Sequence, residues 1–147
     1  MLRIARKLSE LSFSELMHVY IEGNLKNGKE LYPDDTEGIQ LRKAEEDFYQ
    51  YLNSVFFQQN ESCYMIWVVN GRYQAALRLE PYQDGFLLSA LETAPEARQK
   101  GYATNLIKET LTFLSSSGNG ILYSHVSKKN TPSLSVHRKC GFQIIKD

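Results

Sequence analysis

Cysteine is scarce in this 147-residue chain, where Cys63 and Cys140 are the only two. They form no C-x-x-C pair, so their spacing offers no zinc site and no metal is expected. In a reducing compartment both should be free thiols. An excess of charge of one sign is missing as well. Seventeen basic residues offset seventeen acidic ones, whereas tight non-specific nucleic-acid binding needs a large positive surplus. No apolar run approaches the roughly 20 residues of a membrane span. The opening Met1-Leu2-Arg3-Ile4-Ala5-Arg6 lacks a signal-peptide apolar core, so a cytoplasmic location is the expectation. No Gly-Lys-Ser/Thr step is present to build a nucleotide phosphate loop. What is left is an ordinary globular balance, 42% hydrophobic and 23% charged, and a length suited to one domain over residues 1–147 with one core.

The apolar pattern divides the chain. Leu2, Ile4 and Leu8 have the even spacing of a short strand. Ser12 and Glu15 make a capping box ahead of Phe13, Leu16, Met17, Tyr20 and Ile21 at helical spacing. Residues 24–38 are polar, carry Gly28, Pro33 and Gly38, and read as a loop. Leu41, Ala44, Phe48, Tyr51, Leu52, Val55 and Phe56 then fall on one helical face. Tyr64–Val69 and Tyr73–Leu79 read as strands joined by Asn70-Gly71, a strong hairpin signal. Phe86–Thr93 is a third strand of this group, and a helix begins near Tyr102. Residues 115–120 break the pattern. Ile121–Val126 reads as a buried strand, Thr131-Pro132 as a capped helix start, Gly141 as that helix's end, and Phe142–Ile145 as a last strand. The order β-α-α-β-β-β-α-β-α-β implies an α/β protein with a mixed sheet and helices on both faces.

Within this order, Arg98-Gln99-Lys100-Gly101-Tyr102-Ala103 joins a strand to a helix. Such a turn aims several backbone N–H groups at one spot, at the positive end of a helix dipole. It is a place to hold a phosphate. Gly101 lets the backbone approach closely, and Ala103 keeps the helix start slim.

These residues resemble the GCN5-related N-acetyltransferases. The family motif Arg/Gln-x-x-Gly-x-Gly/Ala stands here as Arg98-x-x-Gly101-x-Ala103, and a second matching stretch runs from Asn130 to Cys140-Gly141-Phe142. The resemblance covers nearly the whole chain. It implies the acyl-CoA N-acyltransferase fold and an acetyl-CoA cosubstrate. Gln99, Lys100, Gly101, Tyr102 and Ala103 would then hold the pyrophosphate, and Arg98 would add a charged contact. Leu91 and Thr93 would offer backbone groups to the pantetheine arm, and Asn130 would hydrogen-bond it. The resemblance also departs from the family. A seventh strand is missing after Phe142–Ile145, so either the chain is shortened or a partner subunit supplies that strand. An exposed sixth strand would be an unpaired edge, and a homodimer is therefore expected.

Acetyl transfer requires a neutral amine, donors for the charge that develops on the thioester oxygen, and a proton for the departing thiolate. Where many family members carry a tyrosine acid, four residues before Gly141, this chain has His137. Histidine titrates near working pH, with a free pKa of about 6.5, so His137 is the candidate general acid. Glu92, at the end of the strand that would carry the pantetheine, is the candidate base. Ser124 and His125 would line the same cleft, and His18 reads as structural. Tyr20, Tyr32, Tyr64 and Tyr73 are candidates to shape an acceptor pocket or to fill the core. Glu30, Asp34, Asp35, Glu37, Glu45, Glu46 and Asp47 cluster where the family walls its acceptor site, and would draw in a cationic amine. The leading expectation is an N-acetyltransferase acting on a primary amine of a small molecule or peptide. A non-catalytic acyl-CoA sensor or scaffold of the same fold is the alternative, and an inactive relic that binds CoA poorly is a third.

Overall fold

The computed structural model describes residues 1–118 and 120–145. Asn119, in the expected 115–120 break, and the terminal Lys146 and Asp147 lie outside the described residues. The strands are β1 (Leu2–Ala5), β2 (Cys63–Val69), β3 (Arg72–Tyr82), β4 (Gly85–Thr93) and β5 (Leu122–Ser124). The helices are α1 (Phe13–Val19), α2 (Ile21–Leu31), α3 (Glu37–Ser54), α4 (Tyr102–Ser116) and α5 (Thr131–Lys139). The described strands form one sheet in the order β1-β2-β3-β4-β5. The first three pairings are antiparallel and β4–β5 is parallel, so the mixed α/β sheet read from the pattern is present. The β2–β3 hairpin turns on Asn70 and Gly71, at φ 52° and 77°.

Both faces of the sheet are covered, which explains why β2 is a nearly unbroken apolar run. On one face Leu16, Val19 and Tyr20 from α1 and its end, and Leu52 from α3, pack on Tyr64, Ile66, Val68 and Ala76. On the other, Leu106, Ile107 and Leu114 of α4 pack on Met65, Leu77, Leu79 and Leu88. Tyr102, at the start of α4, touches both clusters.

Five expectations change. The polar stretch read as a loop from residue 24 is largely helix, since α2 runs to Leu31. Its glycine is there for proximity rather than for a turn: a Cβ on Gly28 would lie 2.5 Å from the Gln40 carbonyl oxygen of α3. Asn24 is buried and donates to the Met17 sulfur. A neighbouring helix therefore outweighs weak local propensity. The capping box forms by half: Ser12 Oγ accepts from the Glu15 N–H, but the Glu15 carboxylate turns to Arg72 and the Tyr73 N–H, and the Ser12 N–H donates to the Tyr73 hydroxyl. The cap of α5 is Asn130, whose Oδ1 accepts from the Ser133 N–H at 3.2 Å, and not Thr131. Finally, β5 is shorter than expected and only half-buried, and Phe142–Ile145 is not a strand. The dimerisation argument from an exposed sixth strand therefore loses its basis.

Candidate active site

β4 and β5 start together and then part. They pair at Phe86–Leu122, Leu87–Tyr123 and Leu88–Ser124 and no further. Directly beyond this point β4 bulges. Arg78 of β3 stands opposite Ser89 and Ala76 opposite Glu92, so Ala90 and Leu91 share the place facing Leu77. Ala90 sits at φ 53°, a left-handed conformation that costs a non-glycine residue about 1–2 kcal/mol. The Tyr20 hydroxyl holds it by donating to the Ala90 carbonyl at 2.6 Å. The strand ends splay around a cleft of about 190 Å³, lined by Leu88, Ser89, Ala90 and Leu91 on one side and Ser124–Ser127, Asn130, Ser133 and His137 on the other.

The glycine turn lies beyond the far end of β4. After a short 3₁₀ turn at Pro95–Ala97, Gln99 and Gly101 adopt φ 63° and 82°. Successive residues that alternate in this way form a concave nest of N–H groups. Ser12 caps α1 and Asn130 caps α5, whereas α2, α3 and α4 start without a side-chain cap, and of these α4 alone begins at a glycine, Gly101. Its first-turn amides thus lack the usual side-chain acceptor. A Cβ on Gly101 would meet no heavy atom within 4 Å, so the ground above the turn is open. These features suit an anion there. Arg98 differs from expectation: its guanidinium is bidentate to Glu22 of α2 at 2.8 and 2.9 Å. It is tied to the helix layer rather than extended over the turn.

His137 is buried at the back of the cleft, at 5% exposure. Its Nδ1 lies 2.7 Å from the Ser133 carbonyl oxygen, which can only accept, so Nδ1 carries the hydrogen. Nε2 is then left to face the Ser124 hydroxyl at 2.8 Å. In the neutral ring Nε2 accepts from Ser124; in the cation it donates. The ring and the Ser124 hydroxyl thus form a hydrogen-bonded pair in the cleft wall. Phe142 packs edge-on against the ring, with centroids 4.8 Å apart.

Glu92 is half-buried two residues past Ala90, on the sheet face covered by α1–α3. Burial raises its carboxyl above the usual range, Arg98 opposes this, and Glu22 adds to it. A carboxylate raised in this way is a stronger proton acceptor than a free one. Of the other expected residues, Leu91 and Asn130 line the cleft, whereas Thr93 pairs with Ala75 of β3. His125 is exposed at the rim against Tyr82, and His18 pairs with Glu96 on the surface. The acidic cluster is largely matched by its own neighbours: Asp35 by Lys43, Glu37 by Lys29, Glu46 by Arg42, and Asp47 by the Tyr32 hydroxyl. Among the described residues Glu30, Asp34 and Glu45 have no such partner, so the cluster is a partly paired helix surface. The role of Tyr20 in holding the bulge had no local signal, because its partner is 70 positions away.

A strand pair that splays beside an uncapped, glycine-led helix start is the layout of the acyl-CoA N-acyltransferase fold. The chain belongs to the acetyltransferase (GNAT) family, whose model matches residues 25–142. No curated protein matches it. Among solved structures it is similar to the PaiA N-acetyltransferase from Thermoplasma acidophilum in complex with coenzyme A, with 17% identity, a TM-score of 0.66, and coverage of 98% of this chain and 91% of that one. It is also similar to the ribosomal-protein-S18-alanine N-acetyltransferase from Escherichia coli, with 15% identity, a TM-score of 0.64, and coverage of 97% and 78%. A third is the aminoglycoside acetyltransferase AAC(6')-Iy in complex with a CoA bisubstrate analogue, with 20% identity, a TM-score of 0.57, and coverage of 100% and 94%. Among the described residues no helix is long and apolar enough to cross a membrane, and no group of His, Cys, Asp and Glu is placed to hold a metal ion.

Proposed function

We propose that the protein transfers an acetyl group from acetyl-CoA to a primary amine of a small molecule or peptide by direct attack. The observation that carries this reading is a pair of features on one stretch of chain: a glycine-led helix start suited to a pyrophosphate, and, along the β4 that precedes it, a cleft beside a free strand edge suited to a pantetheine arm. In this reading the backbone of Gln99, Lys100, Gly101, Tyr102 and Ala103 holds the pyrophosphate. Leu91 and the residues around it present β4 backbone groups to the arm. Thr93 extends that edge, and Asn130 closes the far side of the cleft. Arg98 braces the turn through Glu22.

The amine approaches from the α1–α3 side, where Glu92 takes its proton. The new N–C bond forms as the C–S bond breaks, and the sulfur leaves with the electron pair. His137 returns a proton to that sulfur, with the Ser124 hydroxyl as the relay. Donor and acceptor are thus separate groups on opposite sides of the sheet edge, which lets each keep its own protonation state. Holding the two substrates in line supplies much of the remaining acceleration.

A thiol-release assay with acetyl-CoA over amino acids, polyamines, aminoglycosides and N-terminal peptides tests this. Amine-dependent release of CoA is the expected result. Tight acetyl-CoA binding with no release over any amine would instead leave a non-catalytic acyl-CoA module.

A further inference from the structure

Arg78 has a charge with no carboxylate to answer it. It lies on β3 opposite Tyr64 of β2 and Ser89 of β4. Its guanidinium carbon lies 5.0 Å from the Tyr51 ring centre and 5.6–5.9 Å from those of Phe48, Phe56 and Tyr64. Nη1 donates to the Tyr64 hydroxyl at 3.2 Å. Among the described residues that is its one hydrogen bond, and it makes no ion pair. A guanidinium has five N–H donors in a fixed planar fork. Ring faces offset part of the cost of drawing the charge out of water, but they offer nothing to the in-plane donors. Among the described side chains, the one fully enclosed polar atom without a partner is Ser62 Oγ. The spare N–H groups of Arg78 are therefore not fully enclosed.

The position of this charge gives it meaning. Ser89, across from Arg78, is the residue just before the Ala90 bulge. The Tyr64 ring packs 6.2 Å from that of Tyr20, whose hydroxyl holds Ala90. Glu92 follows on the same face of β4. Tyr20 therefore feels both the Arg78 charge and the Glu92 carboxylate. Burial raises the Tyr20 phenol well above its usual range, and of these two charges Arg78 opposes that rise while Glu92 adds to it. Three of the acidic residues on the outer helices, Asp35, Glu37 and Glu46, are held by cations of their own.

We propose that Arg78 is an anion subsite of the acceptor pocket and that the acceptor is a small aminocarboxylate, with its amine toward Glu92 and its carboxylate on the free edge of the guanidinium. This rests on the reading of the α1–α3 face as the acceptor side. It separates amino-acid-like substrates from polyamines and aminoglycosides, which carry no carboxylate, and from peptide N-termini, whose neighbouring carboxyl is an amide.

Matched pairs provide the test: free amino acids against their amides and their decarboxylated amines. Binding is read by calorimetry on the CoA-saturated protein, and turnover by thiol release. The carboxylate member should be preferred by about 10- to 100-fold, the worth of a charge-assisted hydrogen-bonded pair. Arg78→Met should erase the preference, and Arg78→Lys should keep part of it, with acetyl-CoA affinity as the folding control for both. Equal binding of the paired compounds, no binding of any aminocarboxylate, or an intact preference in Arg78→Met would each overturn the proposal. The two readings can fail separately. Acetyl transfer without carboxylate preference removes the subsite and leaves the enzyme. Selective aminocarboxylate binding without transfer removes the reaction and leaves the subsite.

Discussion

Replacing Gly101 with Asp probes the turn proposed to hold the pyrophosphate, with little effect on packing. A Cβ there meets nothing within 4 Å, so steric clash contributes nothing. The cost is conformational, because φ is 82°. An alanine at this position should lose about 1–2 kcal/mol, and an aspartate less, since it enters the left-handed region more readily. In a domain of this size, 1 kcal/mol corresponds to about 2–4 °C in Tm, so both variants should remain folded. Cofactor binding separates them. A unit negative charge 4 Å from a phosphate repels it by about 4 kcal/mol at an effective dielectric of 20. Screening at this exposed turn reduces that figure, and a loss of about 100-fold in acetyl-CoA affinity is expected for Gly101→Asp. Gly101→Ala, which adds strain without charge, should lose about tenfold or less. Calorimetric titration with acetyl-CoA, run beside thermal denaturation, measures both quantities. Wild-type affinity in a Gly101→Asp variant with a cooperative thermal transition would refute the assignment of this turn.

Three further expectations bear on the cleft. His137→Gln keeps a donor and an acceptor in place but cannot store a proton. It should lower kcat about 100-fold with little change in KM for acetyl-CoA, and an unchanged kcat across pH would remove His137 as the acid. Glu92 has a carboxyl raised in the folded state, chiefly by burial, so its contribution to stability is present at low pH and is lost as pH rises through the folded value. Glu92→Gln should therefore unfold at a higher temperature than wild type at pH 8 and at the same temperature at pH 4, and should lose rate at neutral pH. A stability difference that grows toward acid would contradict the sign. Asn130→Ala removes the cap of α5 and should cost about 1 kcal/mol. A Tm unchanged to within 1 °C would show that the cap bond contributes nothing.

The parts legible in the sequence are those decided by neighbours along the chain. Asn70-Gly71 dictates its hairpin because both residues accept positive φ, and the spacing of Leu41, Ala44, Phe48 and Leu52 dictates α3. Gly101 ahead of an amphipathic run dictates the turn and the open helix start. Even the family was within reach, since Arg98-x-x-Gly101-x-Ala103 and the stretch from Asn130 to Phe142 are local patterns. Where local propensity was weak, the reading failed. Residues 24–31 appeared to be loop because nothing in that segment announces that Gly28 will lie against Gln40 of α3. The last strand failed in the opposite sense: its apolar residues had the right pattern, but no pairing forms at Phe142–Ile145.

By itself, then, the sequence determined the mixed α/β fold and the glycine turn ahead of α4, because backbone conformation and amphipathic spacing are short-range properties; the candidate proton-transfer residues followed from the family resemblance. Only the tertiary structure decided what those residues face. Arg98 is bound by Glu22, 76 positions away, and Ala90 is held in its bulge by Tyr20, 70 positions away. His137 meets Ser124 because α5 packs beside the end of β5. Arg78, an ordinary strand residue in the linear pattern, became a caged and uncompensated charge when α3 laid its aromatic rings over it. Charge pairing and burial depend on which distant segments come together, and no local period in the chain records that.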